Sequence, residues 1–138
     1  VLETKDANST EFDSKTKNPV IHILPGHTED EDKGGTLRLG AYPCILDKES
    51  KSYKAYGASK ISERHRHRYE FNMDYKKILE QAGMIFAGIS PSKKLIEIIE
   101  LKNHPFFVAS QFHPEFKSRP LRAHPLFKDF IKASTKIK

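Results

Sequence analysis

At 138 residues, 37% of them hydrophobic, the chain holds one domain's worth of polypeptide, too little for an enzyme with two active sites. Lysine and arginine number 24 against 18 aspartates and glutamates, a net charge of +6 that permits anionic partners (nucleotides, nucleic acid, a membrane surface) and selects none of them. A single cysteine, Cys44, excludes an internal disulfide and fits a reducing, cytoplasmic setting; no apolar run is long enough to span a bilayer.

Residues 1–18 are polar and rich in capping and turn residues, and read as a loop. Pro19–Leu24 is a short strand with proline tolerated at its first position. His27–Lys33, acidic and bounded by Gly26 and Gly34-Gly35, reads as a mobile loop or lid, or equally as an ordinary hairpin connection. Thr36–Leu39 and Pro43–Leu46 form a hairpin-like pair in which Cys44 is a small buried apolar residue. Lys54–Tyr56 makes one helical turn ended by Gly57. Ile61–Asn72 is strongly charged, with hardly any apolar residue before Tyr69, and is expected to be extended or loop. Asp74–Ala82 is the first good helix, with an inward stripe of Tyr75, Ile78, Leu79 and Ala82. Met84–Ile89 and Lys94–Leu101 are strands joined by the turn Ser90-Pro91-Ser92, and Phe106–Phe112 follows as one buried strand. A closing helix, Pro125–Ala133, is expected to turn Leu126, Phe127, Phe130 and Ile131 inward.

The chemistry is placed where Phe106–Phe112 stops, at His113-Pro114-Glu115. Two residues apart in extended backbone, His113 and Glu115 leave on one face, so the carboxylate can hold one imidazole nitrogen while the other takes a proton from a nucleophile. Pro114 restricts the drift of the pair. On the tripeptide alone a surface turn is the commoner reading. Arg64, His65, Arg66 and His67 form a basic cluster that reads as a solvated loop. His65 and His67 lack a third metal ligand at a suitable spacing, and only Tyr69 and Phe71 stand ready to stack on a nucleic-acid base. Gly34-Gly35-Thr36-Leu37-Arg38 could cradle a phosphate through its N–H groups or could be a simple turn.

The phrase SQFHPEF resembles the motif that closes the catalytic triad of class I glutamine amidotransferases. With the flanking HPFFV and FKSRP, and with DANSTEFD at 6–13, GGTLRLG at 34–40, ERHRHRYEFN at 63–72 and IEIIEL at 96–101 in the same order, it is similar to the CTP synthase family in particular. The resemblance implies an α/β, flavodoxin-like three-layer domain. Residues 1–138 would supply its C-terminal portion, with a mixed sheet, a hairpin and two covering helices. It implies that His113 is the general base and Glu115 its orienter, that Arg68 binds the α-carboxylate of glutamine and that Glu11 faces its α-ammonium. Arg38 and the loop before it become candidates for the place where the activator GTP acts, although that loop looks shorter than in many bacterial relatives.

The family's nucleophile is a cysteine on a Gly-rich strand-to-helix elbow, and no such elbow stands in these residues. The chain alone is therefore expected to be inactive, and not to fold well without the preceding strands. The complete enzyme would be a cytoplasmic homo-oligomer, a tetramer by resemblance. Its separate synthetase domain would use ATP and Mg²⁺ to aminate UTP. A non-catalytic amidotransferase-like regulatory subunit and a basic nucleotide- or nucleic-acid-binding module remain the alternative readings.

Overall fold

Strands of alternating or continuous burial organise the chain into two sheets in a computed structural model that describes residues 1–23 and 38–136. The first is three-stranded, in the order β1-β2-β5, from β1 (Ala7–Ser9), β2 (Asn18–Ile23) and β5 (Tyr69–Phe71), with β1 and β2 parallel. The second has five strands in the order β4-β3-β6-β7-β8, all neighbours antiparallel: β3 (Arg38–Leu46), β4 (Lys60–His67), β6 (Met84–Ile89), β7 (Ile96–Leu101) and β8 (Val108–Ser110). Among the described residues three α-helices complete the mixed α/β fold: α1 (Lys51–Tyr56), α2 (Lys76–Gln81) and α3 (Pro125–Ser134).

The core lies where β3, β6 and β7 meet α1 and α3. Cys44, Leu46, Ala87, Ile98, Phe112 and Leu126 form its buried cluster, with Tyr53, Tyr56, Ile61 and Val108 packed around it. Apolar area removed from water drives this assembly. β7 carries two carboxylates into it. Glu100 accepts the backbone N–H groups of Lys51 and Ser52 at 2.9 and 2.7 Å, so a strand residue neutralises the orphan donors at the start of α1. Ser50 caps the same end and Gly57, at φ 68°, closes the other in the left-handed region.

Several expectations are corrected. Thr36–Leu39 and Pro43–Leu46 do not make a hairpin: from Arg38 the backbone runs on as one strand to Leu46, paired with β4 from Arg38 through Ile45. Pro43 fits there because the other edge of β3 meets β6 only at Ile45 and Leu46, so its missing N–H is not needed. Ile61–Asn72, expected to be extended or loop, is extended as two strands, whereas β1 lies within the expected N-terminal loop. The last strand is shorter than expected: only Val108–Ser110 pairs with β7, while Phe107 is exposed. The helix over 74–82 divides into a 3-10 turn, Met73–Tyr75, and α2, and its stripe is not buried; Ile78 is exposed. On α3 only Leu126 is buried, and Phe127, Phe130 and Ile131 stand at the surface. The expected lid at His27–Lys33, Gly34-Gly35, and Leu24, Thr36 and Leu37 lie outside the described residues.

Candidate active site

β4 decides the site because it is a strand with polar groups on both faces. Strand alternation sends Arg64 and Arg66 outward and turns Glu63, His65 and His67 toward the interior. The basic cluster of the sequence is thus not a single surface. His65 Nδ1 and His67 Nε2 lie 2.8 Å apart, and His67 Nδ1 donates to the Tyr69 carbonyl at 2.9 Å. Burial, with the charge of Arg38 behind it, pushes the His65 imidazole down to about 3.

At the far end of β8 the chain bends over β4. The His113 N–H donates to the Arg64 carbonyl at 2.9 Å, and Pro114 opens a 3-10 turn, Pro114–Phe116. His113 Nδ1 and Glu115 Oε1 are 2.7 Å apart. The contact was expected from extended backbone; the tight turn makes it instead, swinging the carboxylate back onto the ring. A carboxylate only accepts, so Nδ1 donates and Nε2 keeps its lone pair. The hydrogen bond from His113 holds the Glu115 carboxyl below its ordinary value. The Phe116 ring stacks on the imidazole, centroids 4.7 Å apart and planes within 15°. With side-chain exposures of 38% and 56%, His113 and Glu115 are open to a reactant.

Arg68 and Glu11, from distant parts of the chain, line one polar cavity of about 300 Å³ between the β4–β5 junction and the turn after β1, together with Thr10, Ser14, Ile23 and Tyr69. The Thr10 hydroxyl is buried without a hydrogen-bond partner among the described residues. His113 does not line this cavity; it is tied to the same strand through Arg64.

Cys44 is buried as expected, whereas Arg38 is placed away from the open loop the sequence suggested. Cys44 is fully buried, and burial followed by the charge of Glu97 pushes its thiol up to about 12, so it is no thiolate nucleophile. Arg38, expected beside an activator loop, turns its guanidinium inward onto Glu97 (2.8 and 3.0 Å) and Glu70 (3.2 Å), over the face of Tyr42. An arginine only 6% exposed and paired on both sides makes its contribution inside the fold.

Residues the sequence did not point to surround the dyad. Glu63, Tyr56, His124 and Lys117 meet behind the 3-10 turn, and Phe116 covers the ring. The period-two pattern Glu63-Arg64-His65-Arg66-His67 was a usable signal for Glu63. Nothing local marks Tyr56, Lys117 or His124.

Comparison with known proteins fits this arrangement. The chain is 55% identical over its whole length to a CTP synthase of Caldanaerobacter subterraneus subsp. tengcongensis, covering 26% of that protein, and 58% identical to one from Fibrobacter succinogenes, covering 25%. It spans about a quarter of the length of the curated relatives it matches. A solved structure, the Trypanosoma brucei CTPS glutaminase domain with bound acivicin, superposes with a TM-score of 0.85 at 35% identity, covering 96% of this chain and 52% of that one. A putative GMP synthase subunit of Thermoplasma acidophilum, 20% identical with a TM-score of 0.51, shares the fold. Residues 11–133 match the family described as glutamine amidotransferase class-I. The strand, turn and paired imidazole and carboxylate described above lie within that match, and the chain belongs to the class-I glutamine amidotransferases.

Proposed function

We propose that this chain supplies the acid–base half of a glutaminase site that feeds ammonia to CTP synthesis. The observation that carries the reading is the His113 Nδ1–Glu115 Oε1 pair at 2.7 Å on an open turn, with Nε2 left to exchange protons. In this reading Nε2 takes the proton of a cysteine thiol supplied from outside these residues. The sulfur then bonds to the amide carbon of glutamine, the C–N bond breaks, and the imidazolium returns its proton to the departing ammonia. Water next attacks the thioester while Nε2 takes its proton; glutamate leaves and the thiol is restored. Arg68 pairs with the substrate α-carboxylate and Glu11 with its α-ammonium, which suits the polar cavity they share.

In this reading the complete enzyme also uses ATP and Mg²⁺. Their chemistry, phosphate activation of UTP for amination, belongs to a synthetase domain elsewhere in the complete enzyme. GTP as activator, a homo-oligomeric assembly and a cytoplasmic setting come with the same reading.

In the intact polypeptide that carries this chain, His113→Ala is expected to lower glutamine-dependent CTP formation by about 10²–10⁴-fold and to leave formation from free ammonia unchanged. Retention of the glutamine reaction sinks the reading. The buried thiol of Cys44 favours one second reading, a non-catalytic amidotransferase-like subunit. The denatured mass of the native protein separates the two: a value well above 15.8 kDa leaves room for the elbow cysteine, whereas 15.8 kDa favours the subunit.

A further inference from the structure

The dyad sits on a segment, residues 113–118, that belongs to neither sheet, yet Glu115 stays within bonding distance of Nδ1. Two attachments to β4 hold that segment. At its start the His113 N–H meets the Arg64 carbonyl at 2.9 Å. At its end the Lys117 ammonium donates to the Ser62 carbonyl at 2.6 Å and lies 3.5 Å from Glu63 Oε1. Glu63 explains why a lysine with 44% of its side chain exposed should be pinned. Its carboxylate is 2% exposed; Oε1 receives Tyr56 Oη at 3.0 Å and His124 Nε2 at 3.2 Å, and Oε2 has no partner among the described residues. A buried anion satisfied on only one oxygen attracts the nearest permanent cation strongly.

His124 completes the frame. Its Nδ1 accepts the Leu126 N–H at the start of α3, which leaves the proton on Nε2 for Glu63, and its own N–H is held by Ser118 Oγ at 3.2 Å. Glu63 therefore gathers α1, α3 and the return segment from one point on β4.

We infer, on the glutaminase reading above, that Glu63 is a positioning residue for the His113–Glu115 dyad, acting through Lys117 and His124 to fix the end of the turn that carries Glu115. Geometry at a reacting centre is exacting: a misplacement of about 1 Å can cost on the order of 10²-fold in rate. Substrate binding, by contrast, rests on the Arg68–Glu11 cavity, which none of these residues lines.

The test uses the intact polypeptide with four variants: Glu63→Gln, which keeps the shape and the acceptor but removes the charge, Lys117→Met and Lys117→Arg at the surface, and His113→Ala. Glu63→Gln and Lys117→Met are expected to lower kcat for glutamine hydrolysis about 10-fold with KM for glutamine and ammonia-dependent synthesis unchanged, and Lys117→Arg to restore kcat. Lys117→Met at wild-type kcat, or a change confined to KM, overturns the proposal. Because Lys117 is outside the core, that outcome is readable even if Glu63→Gln fails to fold. His113→Ala with full glutaminase activity would instead remove the glutaminase reading itself, a result distinct from an inactive His113→Ala beside a fully active Lys117→Met.

Discussion

Arg38 shows how one side chain can mislead when read from its neighbours in sequence. It follows Gly-Gly-Thr-Leu, a context that suggests a loop open to a nucleotide. Its carboxylate partners stand 32 and 59 residues away, beyond any local pattern. One guanidinium there serves two acids. Burial, eased by Arg38 but reinforced by Glu97, raises the Glu70 carboxyl to about 7, and Glu97 is raised by burial as well. Replacing Arg38 by Met strands both carboxylates away from water. The expected cost is about 3–5 kcal/mol of stability, read by denaturant unfolding. An unchanged unfolding midpoint would show that the cluster is not the reason for burying this arginine. The dyad was the legible counterpart: His113 and Glu115 interact across one residue, so their pairing was present in the sequence even though the turn that achieves it was not.

At the scale of elements, legibility followed apolar contrast. β6 and β7 have it and were read to within two residues; β4 lacks it, because polar side chains occupy its buried face as well as its open one. The same blindness divided β3, where Gly40 at φ 98° and Pro43 look like breaks but fall along a strand that is paired on one side for most of its length. Contact between strands, once formed, leaves little slack. A Cβ built on Gly88 in β6 would lie 2.8 Å from Cys44 Sγ on β3 and 2.8 Å from Ile98 Cγ1 on β7. Both neighbours are fully buried and have little freedom to retreat. Gly88→Ala is accordingly expected to destabilise the protein by about 1–3 kcal/mol, measured by chemical unfolding, despite adding only one methyl group. A variant as stable as the parent would mean that β3 and β7 separate more readily than their packing indicates.

Across the whole molecule, the seam between the two sheets is polar: Glu70 on β5 faces Arg38 and His67 from the larger sheet and Gln111 just past β8, and Arg38 in turn holds Glu97 beside His65. These groups give stability an unusual dependence on pH. His65 stays neutral in the folded state to about 3, whereas an unfolded imidazole takes a proton near 6.5, so its contribution is complete above 6.5 and is lost as pH falls toward 3. Glu70 works oppositely. Its folded carboxyl holds a proton to about 7 against an ordinary 4.5, so its contribution is complete below 4.5 and is lost as pH rises toward 7. His67, lowered by burial, adds to the first trend, and Glu97, raised by burial, to the second. Between 4.5 and 6.5 the trends oppose each other, and the seam as a whole should leave stability nearly level. Removing one member unmasks the others. The stability of the parent minus that of His65→Gln is expected to rise by about 1.4 kcal/mol per pH unit between pH 4 and 6, the value for one proton taken up on unfolding. Denaturant unfolding of both proteins across that range measures it. Parallel curves would mean that His65 already binds its proton in the folded protein, and that the neighbouring Glu97, rather than burial and Arg38, governs its charge.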